Sequence, residues 1–122
     1  MRLLSLIKHY WLPLTLFTVV AIATLSLWPA ASLPQVPGTD KTHHFIAYGL
    51  LMLPTALKKP KGWLYIAFAF IAFSGLIELV QPYVNRYGEW LDMLANILGL
   101  LCGIFVAKLV EIFADFSYKK SQ

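Results

Sequence analysis

The sequence predicts an all-α membrane protein, a bundle of four transmembrane helices with both termini in the cytoplasm. Three observations carry that expectation. The chain has 122 residues, of which 59% are hydrophobic and only 13% charged, with a mean hydropathy of +0.68. A water-soluble domain of this length needs a more polar surface. The apolar residues fall into four runs, at about 10–28, 40–57, 63–81 and 89–113. At about 1.5 Å of rise per residue, each run spans or nearly spans a hydrocarbon core of about 30 Å. The third observation is the placement of basic residues. Arg2 and Lys8 precede the first run, Lys58, Lys59 and Lys61 separate the second from the third, and Lys119 and Lys120 follow the fourth, whereas the other two connections hold only Lys41 and Arg86. Basic residues collect on the cytoplasmic side, which fixes the orientation. The expected location is therefore a membrane bordering the cytoplasm, crossed several times by a single domain covering residues 1–122.

The first run is bracketed by Tyr10, Trp11 and Trp28, aromatic residues that favour the membrane–water interface. A cleaved signal peptide is the alternative reading there, because a small-residue Ala30-Ala31-Ser32 segment follows; its apolar stretch exceeds the usual ~7–15 residues. The second run opens on polar residues and carries Pro54, which removes a backbone donor and is expected to kink or fray its last turn. The outer connections, 29–39 and 82–88, are short and punctuated by proline and glycine. Thr39 or Asp40 can cap the second helix, and Gly88 can precede the fourth. Lys108 lies inside the fourth run near its cytoplasmic end, within snorkelling reach of the interface. The single cysteine, Cys102, lies in an apolar run and reads as a small hydrophobe. The formal net charge of +4 sits mainly in short cytoplasmic connections, where its natural partner is anionic lipid rather than nucleic acid.

Alternation of four spans places three polar clusters on one side of the bilayer. Asp40 and His44 open the second run, Glu78 and Gln81 close the third, and Asp92 and Asn96 open the fourth. Ionisable groups are costly in hydrocarbon, so their convergence is a functional-site expectation. Arg86 is near enough in sequence to fold over Glu78, and Asp92 falls in a first helical turn, where the dipole favours an anion. His43 points about 100° away from His44 and is expected to face loop or headgroup. On the fourth run, Ala95, Gly99, Gly103 and Ala107 repeat every four residues, the spacing that lets helix backbones approach in lipid. Asp92 and Asn96 share that stripe. Ala67, Ile71, Ser74 and Glu78 align on the third run, and Asp40, His44, Ala47 and Leu51 on the second. The three faces are expected to meet. The ladder serves either packing within the bundle or a homodimer seam through Gly99 and Gly103.

These polar residues permit several chemistries. A histidine paired with carboxylates, with Lys41 and Arg86 nearby, suits an anionic headgroup gripped by bidentate hydrogen bonds. His44, Glu78 and Asp92 are the catalytic candidates if the site does acid–base work on an envelope substrate. A structural network joining three helices is the plainer reading. One histidine and up to three carboxylates would suit a divalent ion, but no second well-placed histidine and no His-Glu-x-x-His motif is present, so neither metal nor other cofactor is expected. No nucleophile elbow surrounds Ser74.

Two stretches, DKTHHFIAYGLLML (40–53) and GLIELVQPYVNRYGEWLDMLANILGLLCG (75–103), separated by a spacer span, resemble the VanZ-like family of small bacterial membrane proteins. The matching positions are Asp40, Lys41, His44, Tyr48, Glu78, Gln81, Arg86, Asp92, Asn96 and Gly99. The resemblance covers most of the chain from the second run onward and implies a cell-envelope role. It adds Tyr48 to the expected ligand-binding set. The family takes its name from members associated with low-level resistance to the glycopeptide teicoplanin, so an envelope lipid or a glycopeptide is the ligand class it implies, beside membrane lipid itself.

Overall fold

The structure is a computed structural model, which describes residues 2–28, 40–84 and 90–122; for Asp40 it describes the backbone alone. Five α-helices make up the fold, with no strand among the described residues: α1 (Arg2–His9), α2 (Trp11–Leu27), α3 (Asp40–Lys58), α4 (Trp63–Val80) and α5 (Trp90–Ser121), with a 3-10 turn at Gln81–Val84 after α4. The expected first run is thus preceded by a separate helix, and α1 meets α2 at 70°. Pro13 explains the break. Outside the first turn its ring crowds the carbonyl four residues back and removes a hydrogen bond, so a helix arriving from Arg2 bends or breaks before it. Tyr10 is the joint, and the helix restarts at Trp11.

Two helices, Trp63–Val84 and Trp90–Ser121, are long and apolar enough to cross a membrane, and the bent α1–α2 pair makes a third if it counts as one broken span. The second expected run does form a helix, 19 residues long, but its polar opening keeps it outside that set. Pro54 does not end it: α3 continues to Lys58 and closes where Lys59 takes a left-handed backbone (φ 50°). The next helix begins after Gly62, whose φ of 76° is a conformation that glycine adopts without strain. The fourth helix outruns the expected 89–113 by one further stretch, ending at Ser121.

α3 and α5 form the most extensive helix contact, and the stripe expected on α5 is the contact face: Asp92, Asn96, Gly99, Gly103 and Ala107 are all buried, and Ala95 is partly so. A methyl group on Gly99 would collide with the Phe45 carbonyl, and one on Gly103 would stand 2.7 Å from the Gly49 carbonyl oxygen. The backbones therefore touch. The ladder is used for packing within the chain, the first of the two roles open to it. At the far end Lys59 donates to Glu111 over 2.9 Å. Both side chains are partly exposed, and such pairs contribute about 1 kcal/mol or less. Glu111→Gln is accordingly expected to leave the melting temperature of the detergent-solubilised protein almost unchanged.

Burial runs opposite to that of a water-soluble domain. Thr55, Ser74, Gln81 and Asn96 are sealed inside beside Tyr48, Leu51 and Met52, whereas Phe17, Phe68, Leu79, Leu101 and Phe105 are exposed. Such an exterior suits hydrocarbon, and a polar interior suits helices that bond to one another through hydroxyls and amides. One such contact joins Thr15 on α2 to Thr55 on α3 at 3.5 Å.

Candidate functional site

Three helix ends meet at one end of the bundle: the start of α3, the end of α4 and the start of α5. Periodicity decides what each contributes. His44 and Tyr48 lie one turn apart on α3, Ser74 and Glu78 one turn apart on α4, and Asp92 and Asn96 one turn apart on α5. Of these, Tyr48, Ser74, Glu78, Asp92 and Asn96 are buried and His44 is half-buried.

Asn96 is the link at the centre. Its Nδ2 donates to Ser74 Oγ at 2.7 Å, and its Oδ1 faces His44 Nδ1 at 2.9 Å. An amide whose nitrogen is used by Ser74 presents its oxygen to the ring, so His44 Nδ1 carries the hydrogen and donates. The lone pair of the neutral imidazole is then on Nε2.

Around this link, one ligand atom each of His44, Glu78 and Asp92 lies within 4.8 Å of the other two. Lys41, with its side chain half in the open, places Nζ 3.6 Å from Asp92 Oδ1, an ion pair too long for a hydrogen bond. That oxygen is buried and accepts no hydrogen bond among the described residues. The Tyr48 hydroxyl lies beside Ser74 and within electrostatic reach of Glu78, but makes no hydrogen bond of ordinary geometry among the described residues. Gln81 is sealed at the end of α4, where Nε2 donates to the Ser26 carbonyl of α2 at 3.1 Å; its Oε1 accepts no hydrogen bond among the described residues.

Of the expected set, the structure brings His44, Tyr48, Glu78, Asp92 and Asn96 together, with Lys41 at the rim beside Asp92. Gln81 faces α2 through its amide nitrogen. Arg86 and the Asp40 side chain lie outside the described residues, as do Thr39 and Gly88. His43 is half-buried rather than exposed. Ser26 was not expected: a serine in an apolar run that offers only its backbone carbonyl leaves no sequence signal.

Chemically the site holds a fixed imidazole, two buried carboxylates and one ammonium at its edge. It can bind a cation between the carboxylates, receive an anionic group at the lysine, or shuttle a proton at Nε2. Comparison with known proteins adds the family. No curated protein and no solved structure shows significant similarity to the chain. A model of the VanZ/LLP1 family matches residues 2–111, a range that contains every helix end building this site, and the chain belongs to that family.

Proposed function

We propose that the chain is a multi-pass protein of the bacterial cytoplasmic membrane whose polar cluster receives the headgroup of an anionic or amphipathic envelope ligand from the outer side. The observation that carries this reading is the convergence of His44, Glu78 and Asp92 from three helices. Interhelical hydrogen bonds in membranes average well under about 2 kcal/mol, a small return for enclosing two carboxylates. Groups kept at that cost are better explained by a ligand than by cohesion alone.

The topology proposed with it has four spans and both termini in the cytoplasm. The distribution of basic residues supports the orientation. α3 supports the span count: its 19 residues cover about 28 Å, and at its opening end His44 is turned toward Asn96 of α5. Lys41 at the rim offers a phosphate or carboxylate its first cationic contact. In a cell the result would be recognition of an envelope lipid or a lipid-bearing glycopeptide at the outer leaflet, with altered teicoplanin susceptibility as one readout.

Expression of the wild type with Glu78→Gln and Asp92→Asn in a glycopeptide-sensitive host tests the reading. The expected result is loss of any envelope phenotype at unchanged protein level and, measured in EDTA, unchanged melting temperature. Variants that keep the phenotype would overturn the ligand site and leave a structural network.

A second reading is an enzyme acting on a lipid-linked substrate. The fixed tautomer of His44 favours it, because Nε2 is left free to accept a proton while Glu78 returns one. It requires that the purified protein consume a component of a radiolabelled envelope lipid extract, and that His44→Ala abolish this turnover.

A further inference from the structure

We propose that His44, Glu78 and Asp92 together bind one divalent transition-metal ion, of the zinc or manganese class, and that this ion is the contact for the ligand's anionic group. The inference rests on the recognition site proposed above and names what does the recognising.

The donor set comes first. One imidazole nitrogen and two carboxylate oxygens lie within 4.8 Å of one another. Metal–ligand bonds of about 2.0–2.2 Å put donors about 3.3 Å apart in a tetrahedral shell. The proposal requires rotation of the two carboxylate side chains to close that difference. The three donors come from three helices and all lie among the described residues.

The imidazole is set for coordination. Metal-bound histidines usually donate their other N–H to an oxygen acceptor, which fixes the tautomer and aims the lone pair. His44 already does so: Asn96 Oδ1 takes the Nδ1 hydrogen, and Ser74 holds Asn96. This supporting chain is sealed, with Asn96 and Ser74 at zero exposure.

An unmet acceptor provides the independent observation. Asp92 is 94% buried by its 6% relative exposure, and its Oδ1 accepts no hydrogen bond among the described residues. Lys41 at 3.6 Å approaches from the open side and leaves that oxygen without a hydrogen. The Tyr48 hydroxyl beside Ser74 is likewise buried, with no hydrogen bond of ordinary geometry among the described residues. Buried polar atoms in native proteins are nearly always satisfied, by protein, water or an ion.

Charge then selects the occupant. Two buried carboxylates, one of them with Lys41 Nζ 3.6 Å away, give the recess an acidic lining. A dication reverses the local sign and turns an acid-lined recess into an anion receptor. Three protein donors leave further coordination positions open for water or a phosphate oxygen. The mixture of imidazole and carboxylate suits zinc or manganese better than calcium or a thiolate-seeking ion.

The test uses the full chain in detergent, without a polyhistidine tag or chelator. It is given Zn2+ or Mn2+, desalted, and analysed for bound metal and by calorimetry. The expected result is one saturable ion per chain and a melting temperature that rises with metal and falls with EDTA. Glu78→Gln and Asp92→Asn should abolish saturable binding. Asn96→Leu should weaken it about 10–100-fold, the effect of losing a residue that orients a ligand. Lys41→Ala should retain it. If the variants do not fold, Co2+ added to the wild type still decides the matter through its visible d–d bands. No saturable metal in the wild type, or equal binding in wild type and both carboxylate variants, overturns the proposal. Metal-free wild type with a phenotype that still depends on Glu78 sinks the ion and spares the recognition site. Bound metal with an indifferent phenotype sinks recognition and spares the ion.

Discussion

Gly99→Ala should lower the melting temperature of the purified protein more than any other single methyl added to the glycines of α3, α4 or α5. The added carbon has nowhere to go. It would fall on the carbonyl, carbon and Cα of Phe45, all backbone atoms of α3, and backbone cannot step aside without moving the helix. Gly103→Ala should come second, because its methyl meets the Gly49 carbonyl oxygen at 2.7 Å and Met52 Cβ at 3.0 Å. Gly75→Ala is the control. Its methyl meets the tip of the Met93 side chain at 3.4 Å, and a thioether end swings away easily. Overpacking costs about 1–3 kcal/mol, occasionally more, so the first two should separate cleanly from the third in thermal melts. Equal behaviour of all three would mean that α3 and α5 are not in backbone contact.

The second large effect is expected at Asn96. Asn96→Leu removes both hydrogen bonds of a side chain with no exposure, and leaves His44 Nδ1 and Ser74 Oγ without it. Unmet buried groups cost about 1–3 kcal/mol. Polar links between membrane helices average less, about 0.6 kcal/mol, because the separated helices find other partners. The first figure should dominate, since two groups on two other helices are stranded at once. A double-mutant cycle with Ser74→Ala isolates the link. Ser74→Ala should be costly in the wild type and nearly neutral in the Asn96→Leu background. Strict additivity would show that the amide and the hydroxyl do not act together.

Much of the site could be read from spacing. A period of 3.6 places Asp92, Asn96, Gly99, Gly103 and Ala107 on one stripe, and that stripe is the buried face of α5. The same arithmetic pairs Ser74 with Glu78, and the reversal of direction between successive helices brings Glu78 to the level of His44 and Asp92. What spacing does not contain is rotation and depth. Whether Asn96 bonds to Ser74, to Glu78 or to its own helix depends on how far each helix turns and slides, and that is set by the glycine contacts with Phe45 and Gly49. Hydroxyls are similarly silent. Thr15 can bond to the carbonyl of Trp11 in its own helix, as it does at 2.6 Å, so nothing in the sequence announces its approach to Thr55. The break at Tyr10 was legible in principle. Pro13 disfavours a straight helix there, but a strongly apolar run hides the constraint because composition alone suggests one span.

The last helix measures about 48 Å from its 32 residues, against about 30 Å for a bilayer's hydrocarbon. Roughly the final dozen residues, with Lys119 and Lys120 among them, therefore stand clear of the oil when the apolar portion is immersed. Asp92 and Asn96 ride on the opposite extremity of the same unbroken rod. The carboxylate and amide are thereby held at a set distance from the basic tip, about 40 Å along one helix axis.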